Sequence, residues 1–556
     1  MRLCTSYSRP ASGQTEHEVF GLDVAITNLL SALFRHGTQE RYFCSPIAES
    51  DFDHFRELAG KQGIPPERCV GFDPRAPQHN LNGVGCMFRA DPLTADLIWR
   101  RHQLKGAGYA TCGLVHTMSG DRIARAVNDL MLAPSDHTDA LICPSEAIRD
   151  AVQELWAIHA DYLNHRFKSQ FRCPIQTPII PLGIDTEKFA RRATPDKRAQ
   201  QRLALGASAD EIVILFVGRL SFATKAHPLP LMLAAERAAR ATKRKIRLVM
   251  FGYFKPQDME PRFRALAVET GQTASIEFIM NNDPRFPEGL WAGADIFTSL
   301  SDNIQESFGL TPIEAMASGL PAVISDWDGY RGSIRDGQEG FLIPTMTPPA
   351  AGGQALAEAY FNERNYGIAL MGASQSTAVD IARCAEAFRT LADNDSLRET
   401  MGQNGRARAQ SVFDWSHVIK AYEALWNDLA QRRQGLADPA SALPANWPAA
   451  HPTFPNPWKM FGGFASVTLS PNDIVATVMS ADGIASLFHH DMNFFLPDLL
   501  LPQPIMIELA ETIRHAGPLR MRDILEVCQK SGFDEGRVWR VLGWLLKHGV
   551  CERHRP

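Results

Sequence analysis

Two glutamates, Glu306 and Glu314, stand with seven residues between them, on either side of the turn Ser307-Phe308-Gly309-Leu310. A glycine turn of this kind leaves the amides of Phe308, Gly309 and Leu310 free. Thr311 followed by Pro312 predicts a helix N-cap with proline at the first helical position. Free amides at the positive end of a helix make an anion site, and a carboxylate on each side can hold sugar hydroxyls. Gly319 and Pro321 then stop the helix. Thr311-x-x-Glu314 is also the spelling of a capping box, which would give Glu314 a purely structural task. Glu306 lies outside the helix, and its plain alternative is a solvated loop carboxylate.

The apolar run Glu211-Ile-Val-Ile-Leu-Phe-Val217, ended by Gly218, predicts a buried parallel strand. Arg219 and Lys225 follow at its carboxyl end, where open α/β sheets bind ligands. Alone, such cations are ordinarily solvated. Joined to the amide turn, they would give a departing nucleoside diphosphate both point charges and N–H donors, with no metal required.

With these residues the chain resembles the retaining glycosyltransferases of family 4, which have the GT-B fold. The resemblance rests on Gly218-Arg219-Leu220 with Lys225, on the Glu306 and Glu314 pair, and on Ala294-Asp295-Ile-Phe. It extends to Asp336-Gly337-x-x-Gly340-Phe-Leu, Pro181-Leu-Gly-Ile-Asp185-x-x-x-Phe189, Ile142-Cys-Pro-Ser145-Glu-Ala and Phe413-Asp-Trp415. It covers roughly residues 15 to 430.

The resemblance implies that Arg219 and Lys225 neutralise the donor diphosphate and that the Ser307 to Leu310 amides cradle it. Glu306 would face the donor sugar and Glu314 would hold the ribose. His116, in Val115-His116-Thr117-Met118, would approach the transferred sugar. A turn at Gly21 would help bind donor phosphate and acceptor, although the family's usual glycine pair is reduced here to Phe20-Gly21. The implied activity is hexosyl transfer from a nucleotide-diphosphate sugar with retention of configuration, without metal or other cofactor. Asp326-Trp-Asp328 spells the metal-binding pattern of a different glycosyltransferase fold and is expected to be loop structure near the donor.

These residues need elements to position them. Strands and helices alternate to about Phe189 and again from Val213 to about Leu391, predicting an α/β protein with two doubly wound Rossmann-like sheets facing a cleft. The expected division is an acceptor domain over 1–188, a donor domain over 189–400 and a helix over 401–433 crossing back to the first. A proline-rich linker over 434–458 and a small mainly helical domain over 459–556 complete it. The linker region Gly435 to Pro457 holds six prolines. The stretch from Thr347 to about Ser374 is longer than the family core requires.

At 556 residues, with 45% hydrophobic and 21% charged residues, the chain has the composition of a soluble multidomain protein. Net charge −5 supplies no basic field for nucleic acid or anionic lipid. The ten cysteines form no C-x-x-C pair and read as thiols of a reducing compartment. Neither a signal peptide nor a spanning segment is expected, so the predicted location is cytoplasmic.

The tail predicts helices over 504–515, 520–531 and 534–548, similar to a winged helix-turn-helix module. From Pro504 onward it carries 9 Lys plus Arg against 7 Asp plus Glu, no footprint for DNA. Contact with a peptide or protein acceptor, or self-association, remains open for it. The alternatives to glycosyl transfer are sugar-nucleotide epimerisation on the same fold and DNA or peptide binding through the tail.

Overall fold

In the computed structural model the described residues are 1–9, 21–72, 81, 83–101, 108–363, 365–436 and 451–554. Most of the expected proline-rich linker, residues 437–450, lies outside them.

Six short strands in the first part of the chain, β1 (Leu3–Tyr7), β2 (Tyr42–Pro46), β3 (Cys69–Gly71), β4 (Cys86–Arg89), β5 (Ala110–Leu114) and β6 (Ala140–Ile142), form one sheet. Its order is β3-β2-β1-β4-β5-β6 and every pairing is parallel. A second parallel sheet contains β7 (Ile212–Leu220), β8 (Ile246–Phe254), β9 (Ser275–Met280), β10 (Ile296–Ser299), β11 (Ala322–Ser325) and β12 (Gly340–Ile343). Its order, β12-β11-β10-β7-β8-β9, repeats the first. Both are doubly wound sheets, whose strand order reverses between β1 and β4 and between β7 and β10. This is the GT-B architecture.

Burial on both faces explains the strand sequences: Val213, Ile214 and Leu215 of β7 are wholly inaccessible to solvent. β7 runs further than its apolar pattern predicts. Gly218 and Arg219 pair in register with Gly252 and Tyr253 of β8, so Arg219 lies at the strand's end and not in the loop after it.

The helix Trp415–Gln434 begins at Asp414, whose side chain accepts from the Ser416 amide. Val418, Ile419, Tyr422, Trp426 and Leu429 recur at helical spacing and are buried. They face the first sheet: Phe88 of β4 lies 4.9 Å from the Trp426 ring, and Thr38 donates its amide to Glu423. Each such side chain adds about 1.5–3 kcal/mol through burial. Asp414 also takes the Thr186 hydroxyl at 2.6 Å, tying this helix to the junction between the sheets.

The long stretch after β12 folds into the helices Gln354–Glu363 and Tyr366–Gln375. Tyr360 on the first of them accepts the Asp121 amide at 2.9 Å, so this stretch reaches the first lobe.

Residues 452–554 form a unit with a core of their own. Its helices are Gln503–Ala516, Met521–Lys530 and Glu535–Lys547, each within two residues of expectation. Trp544 stacks on Phe488 with ring centres 5.1 Å apart, and its indole donates to the Asn493 carbonyl, which makes it a core residue. The winged-helix expectation is met only in part. Ile474–Thr477, from before the helices, is the central strand between Leu519–Arg520 and Cys551–His554. No wing hairpin follows the third helix among the described residues.

Candidate active site

The turn 307–310 is built by close packing. Gly309 has φ 81°, and a Cβ there would stand 2.0 Å from the Tyr330 ring. Glycine is the residue that permits both the backbone and the contact. Phe308 anchors the turn in the core, 6.1 Å from the Phe413 ring. On the other side, a Cβ on Gly329 would come within 2.3 Å of the Phe308 Cα, so the backbone after β11 braces the turn directly.

The helix Leu310–Ala317 starts two residues earlier than predicted, with Gly309 as its N-cap. Thr311 is therefore inside the first turn and is not the cap. Its Oγ1 is buried without a partner. Among the described residues the amides of Phe308, Gly309 and Leu310 also make no hydrogen bond. Three free N–H groups and a free hydroxyl thus share one helix start, an arrangement that needs an acceptor-rich ligand to be satisfied.

Glu314 does not close a capping box. Its carboxyl makes no hydrogen bond among the described residues, and burial lifts it to about 7 against the weaker pull of Lys188, Arg192 and Lys225. It is a free acceptor of hydroxyl groups, as a ribose would supply.

Lys225 is fixed by a loop sewn to the end of β10: Ser301 donates its hydroxyl to the Lys225 carbonyl, and Asn303 donates its amide to Ala223. The Lys225 ammonium pairs with Glu306, and both side chains are largely buried. It also donates to the Tyr330 hydroxyl at 3.2 Å, which in turn shares a 2.8 Å hydrogen bond with Ser299. Burial would lower the lysine's proton affinity, but Glu306 and Tyr330 outweigh it and hold the ammonium charged. Arg219 reaches the same loop, donating to Gln305 Oε1 and the Thr224 carbonyl.

The first lobe meets this turn at the ends of its own strands. Ser145, which caps the helix Glu146–Phe167, donates its hydroxyl to the Ser307 carbonyl at 2.9 Å. Thr117 donates to the Gln305 carbonyl at 3.4 Å. His116 therefore stands one residue from a contact with the Glu306 loop. Its Nε2 lies 2.9 Å from the Ala90 carbonyl. A carbonyl can only accept, so Nε2 carries the proton and Nδ1 is the acceptor of the neutral ring. Burial lowers the imidazole below its usual value despite Ala90 and Asp91.

The structure thus gathers Arg219, Lys225, Glu306, the 307–310 turn and Glu314 around one helix start, with His116 across the lobe contact. Gly21 opens the helix Gly21–His36, and the residues before it lie outside those described. Asp326 pairs with Arg331 at 2.8 Å, a structural use of the first carboxylate of Asp326-Trp-Asp328. Sequence reasoning passed over Tyr330 and the Thr311 hydroxyl. An aromatic directly after Asp328-Gly329 was a turn signal, and only the fold shows that it folds back under Gly309.

Residues 197–360 match the family of glycosyl transferases group 1. The donor half of this two-sheet chain is thus similar to the group 1 glycosyl transferases. The matched stretch contains every donor-side residue named above except Gly21. Over 292 residues the chain is 28% identical to D-inositol 3-phosphate glycosyltransferase of Corynebacterium efficiens, covering 52% of this chain and 58% of that protein. The enzyme of that name from Corynebacterium urealyticum is 31% identical over 231 residues, 40% of this chain and 50% of its own. The chain therefore spans about half the length of these curated relatives. That from Gordonia bronchialis is 23% identical over 79% of this chain and 92% of its own length. Among solved structures, Anabaena HepE in complex with UDP shares 17% identity with a TM-score of 0.49, over 77% of this chain and 100% of that one.

Proposed function

We propose that this protein transfers a hexosyl group from a nucleotide-diphosphate sugar to an acceptor hydroxyl with retention of configuration and without a metal. The observation that carries the reading is the set of unused groups at one helix start: the amides of 308–310, the Thr311 hydroxyl and the Glu314 carboxyl. A diphosphate with its ribose satisfies them together. Arg219 and Lys225 supply the positive charge for the departing phosphate.

Retention is taken from the family resemblance, and the state of Glu306 bears only on the route to it. Its carboxylate is engaged by Lys225, which leaves it poorly suited to be a covalent nucleophile. In the proposed step the bond from the anomeric carbon to the phosphate oxygen breaks as the acceptor oxygen bonds on the same face. The acceptor proton passes to the leaving phosphate oxygen. His116 Nδ1 accepts a hydroxyl of the sugar being moved.

The tail's three-helix unit is proposed to serve acceptor or self-association, with a peptide or protein as the partner it would hold. Its charge balance gives no support to nucleic acid. All ten cysteines are free thiols, nine of them buried, which fits a reducing cytoplasm. No described helix is long and apolar enough to cross a membrane.

Incubation with a panel of nucleotide sugars, following nucleoside diphosphate release, tests the reading. Lys225→Ala and Glu306→Ala should each reduce turnover about 10²-fold or more, the scale for loss of one preorganised charge-stabilising group. Wild-type rates in either variant would remove that residue from the mechanism.

A further inference from the structure

Tyr330 touches both halves of the candidate donor site, the amide turn and the cation, and has no accessible surface through which to touch a ligand itself. Its ring lies beneath Gly309, where a Cβ would collide with it, so the turn rests on this ring. Its hydroxyl accepts from the Lys225 ammonium at 3.2 Å. An ammonium only donates, so the phenolic proton goes to Ser299 Oγ, 2.8 Å away and equally inaccessible, the acceptor within its reach among the described residues.

The backbone carrying this ring is fixed in turn. The Tyr330 amide donates to the Trp327 carbonyl, and the Ser333 hydroxyl donates to the Tyr330 carbonyl at 2.7 Å. The Trp327 indole donates to the Asn303 carbonyl at 3.1 Å, and the Asn303 side chain donates to the Ala223 carbonyl, two residues before Lys225. Tyr330 is thus a rigid post between the 307–310 turn and the lysine loop.

In the resting site Lys225 is shared between partners of unlike kind. Glu306 is anionic and its side chain keeps 16% exposure, whereas the phenol is neutral and sealed. An entering diphosphate offers the same anionic oxygens as Glu306 and competes with it for the ammonium. The diphosphate does not compete with Tyr330, because an ammonium has three N–H groups and one can stay on the phenol while the others turn to phosphate.

We propose that Tyr330 is a positioning residue, which holds Lys225 while the donor diphosphate replaces Glu306 and so aligns the lysine with the amides of Phe308, Gly309 and Leu310. This rests on the glycosyl-transfer reading above. Phenylalanine in its place would keep the support under Gly309 and would leave Lys225, a point charge on a flexible four-carbon stem, without its second contact.

The test titrates UDP, GDP and ADP by ligand-detected NMR, which reaches weak affinities, against the full chain as wild type, Tyr330→Phe, Lys225→Ala and both changes together. A further variant, Tyr330→Phe with Ser299→Ala, removes both ends of the buried hydrogen bond, so that no orphaned hydroxyl remains should the single change unfold the chain. Whichever diphosphate binds wild type should bind the Tyr330 variants about tenfold more weakly, the scale for losing a hydrogen bond to a charged group. With Lys225 already replaced by alanine, Tyr330→Phe should change affinity less than about twofold. Equal losses in the two backgrounds would mean that Tyr330 only supports the turn, and would overturn the proposal. Unchanged affinity in the Tyr330 variants beside a loss in Lys225→Ala would also overturn it while leaving the donor reading intact. If wild type binds none of the three nucleotides, the donor reading falls and takes this proposal with it.

Discussion

Glu314 ionises near neutrality in the empty protein because burial outweighs the surrounding lysines and arginine. A carboxylate accepts a ribose hydroxyl more strongly than a carboxylic acid does. Donor affinity is therefore expected to rise several-fold between about pH 6 and pH 8, and Glu314→Gln should abolish that slope; an unchanged profile in the variant would dissociate Glu314 from the donor. At this scale the sequence was informative about types and spacing. Arg219, Lys225, Glu306 and Glu314 could be picked out because charged residues flanking a strand end and a glycine turn have few structural uses. What remained illegible was pairing. Nothing in the spacing says that Lys225 would be held by Glu306 and Tyr330, or that Thr311 would fall inside the helix with its hydroxyl unused.

The helix Leu310–Ala317 depends on its first residue outside the coil. Gly309→Ala would place a methyl group 2.0 Å from the Tyr330 ring at a φ of 81°. The expected cost is about 1–3 kcal/mol for the backbone alone, with more from the clash. Thermal denaturation should show a Tm lowered by several degrees, and nucleotide titration should show the donor site lost; a variant matching wild type in both would mean that the turn tolerates another geometry. The elements themselves were legible where period and punctuation agreed. The tail helices came within two residues because Gly532 and Gly549 mark their ends. β7 came out short in the sequence reading, since Gly218 looked like a stop, whereas pairing with Gly252 carries the strand two residues past it.

Across the molecule, residues 452–554 have a core separate from those of the two sheets. Calorimetry should resolve two unfolding transitions, and a fragment spanning 452–556 should melt cooperatively alone; a single transition together with an unfolded fragment would show that the tail depends on the rest. Three carboxyls of the donor half, Asp302, Glu314 and Asp328, are lifted by loss of solvation to about 7, about 7 and about 8. Each binds its proton more tightly folded than unfolded. Their stabilisation is complete below the unfolded values near 4 and is lost as pH rises through 7 to 8. The empty protein's Tm should fall over pH 6 to 9, and a rise would contradict the sign. The Lys225 and Glu306 pairing has a further effect in any medium rich in small anions. A monophosphate must pull the ammonium from its partner with a single weak grip, whereas a whole nucleotide sugar does so while fastened at several other points. The resting site is thereby guarded against abundant inorganic competitors, and millimolar orthophosphate should inhibit poorly.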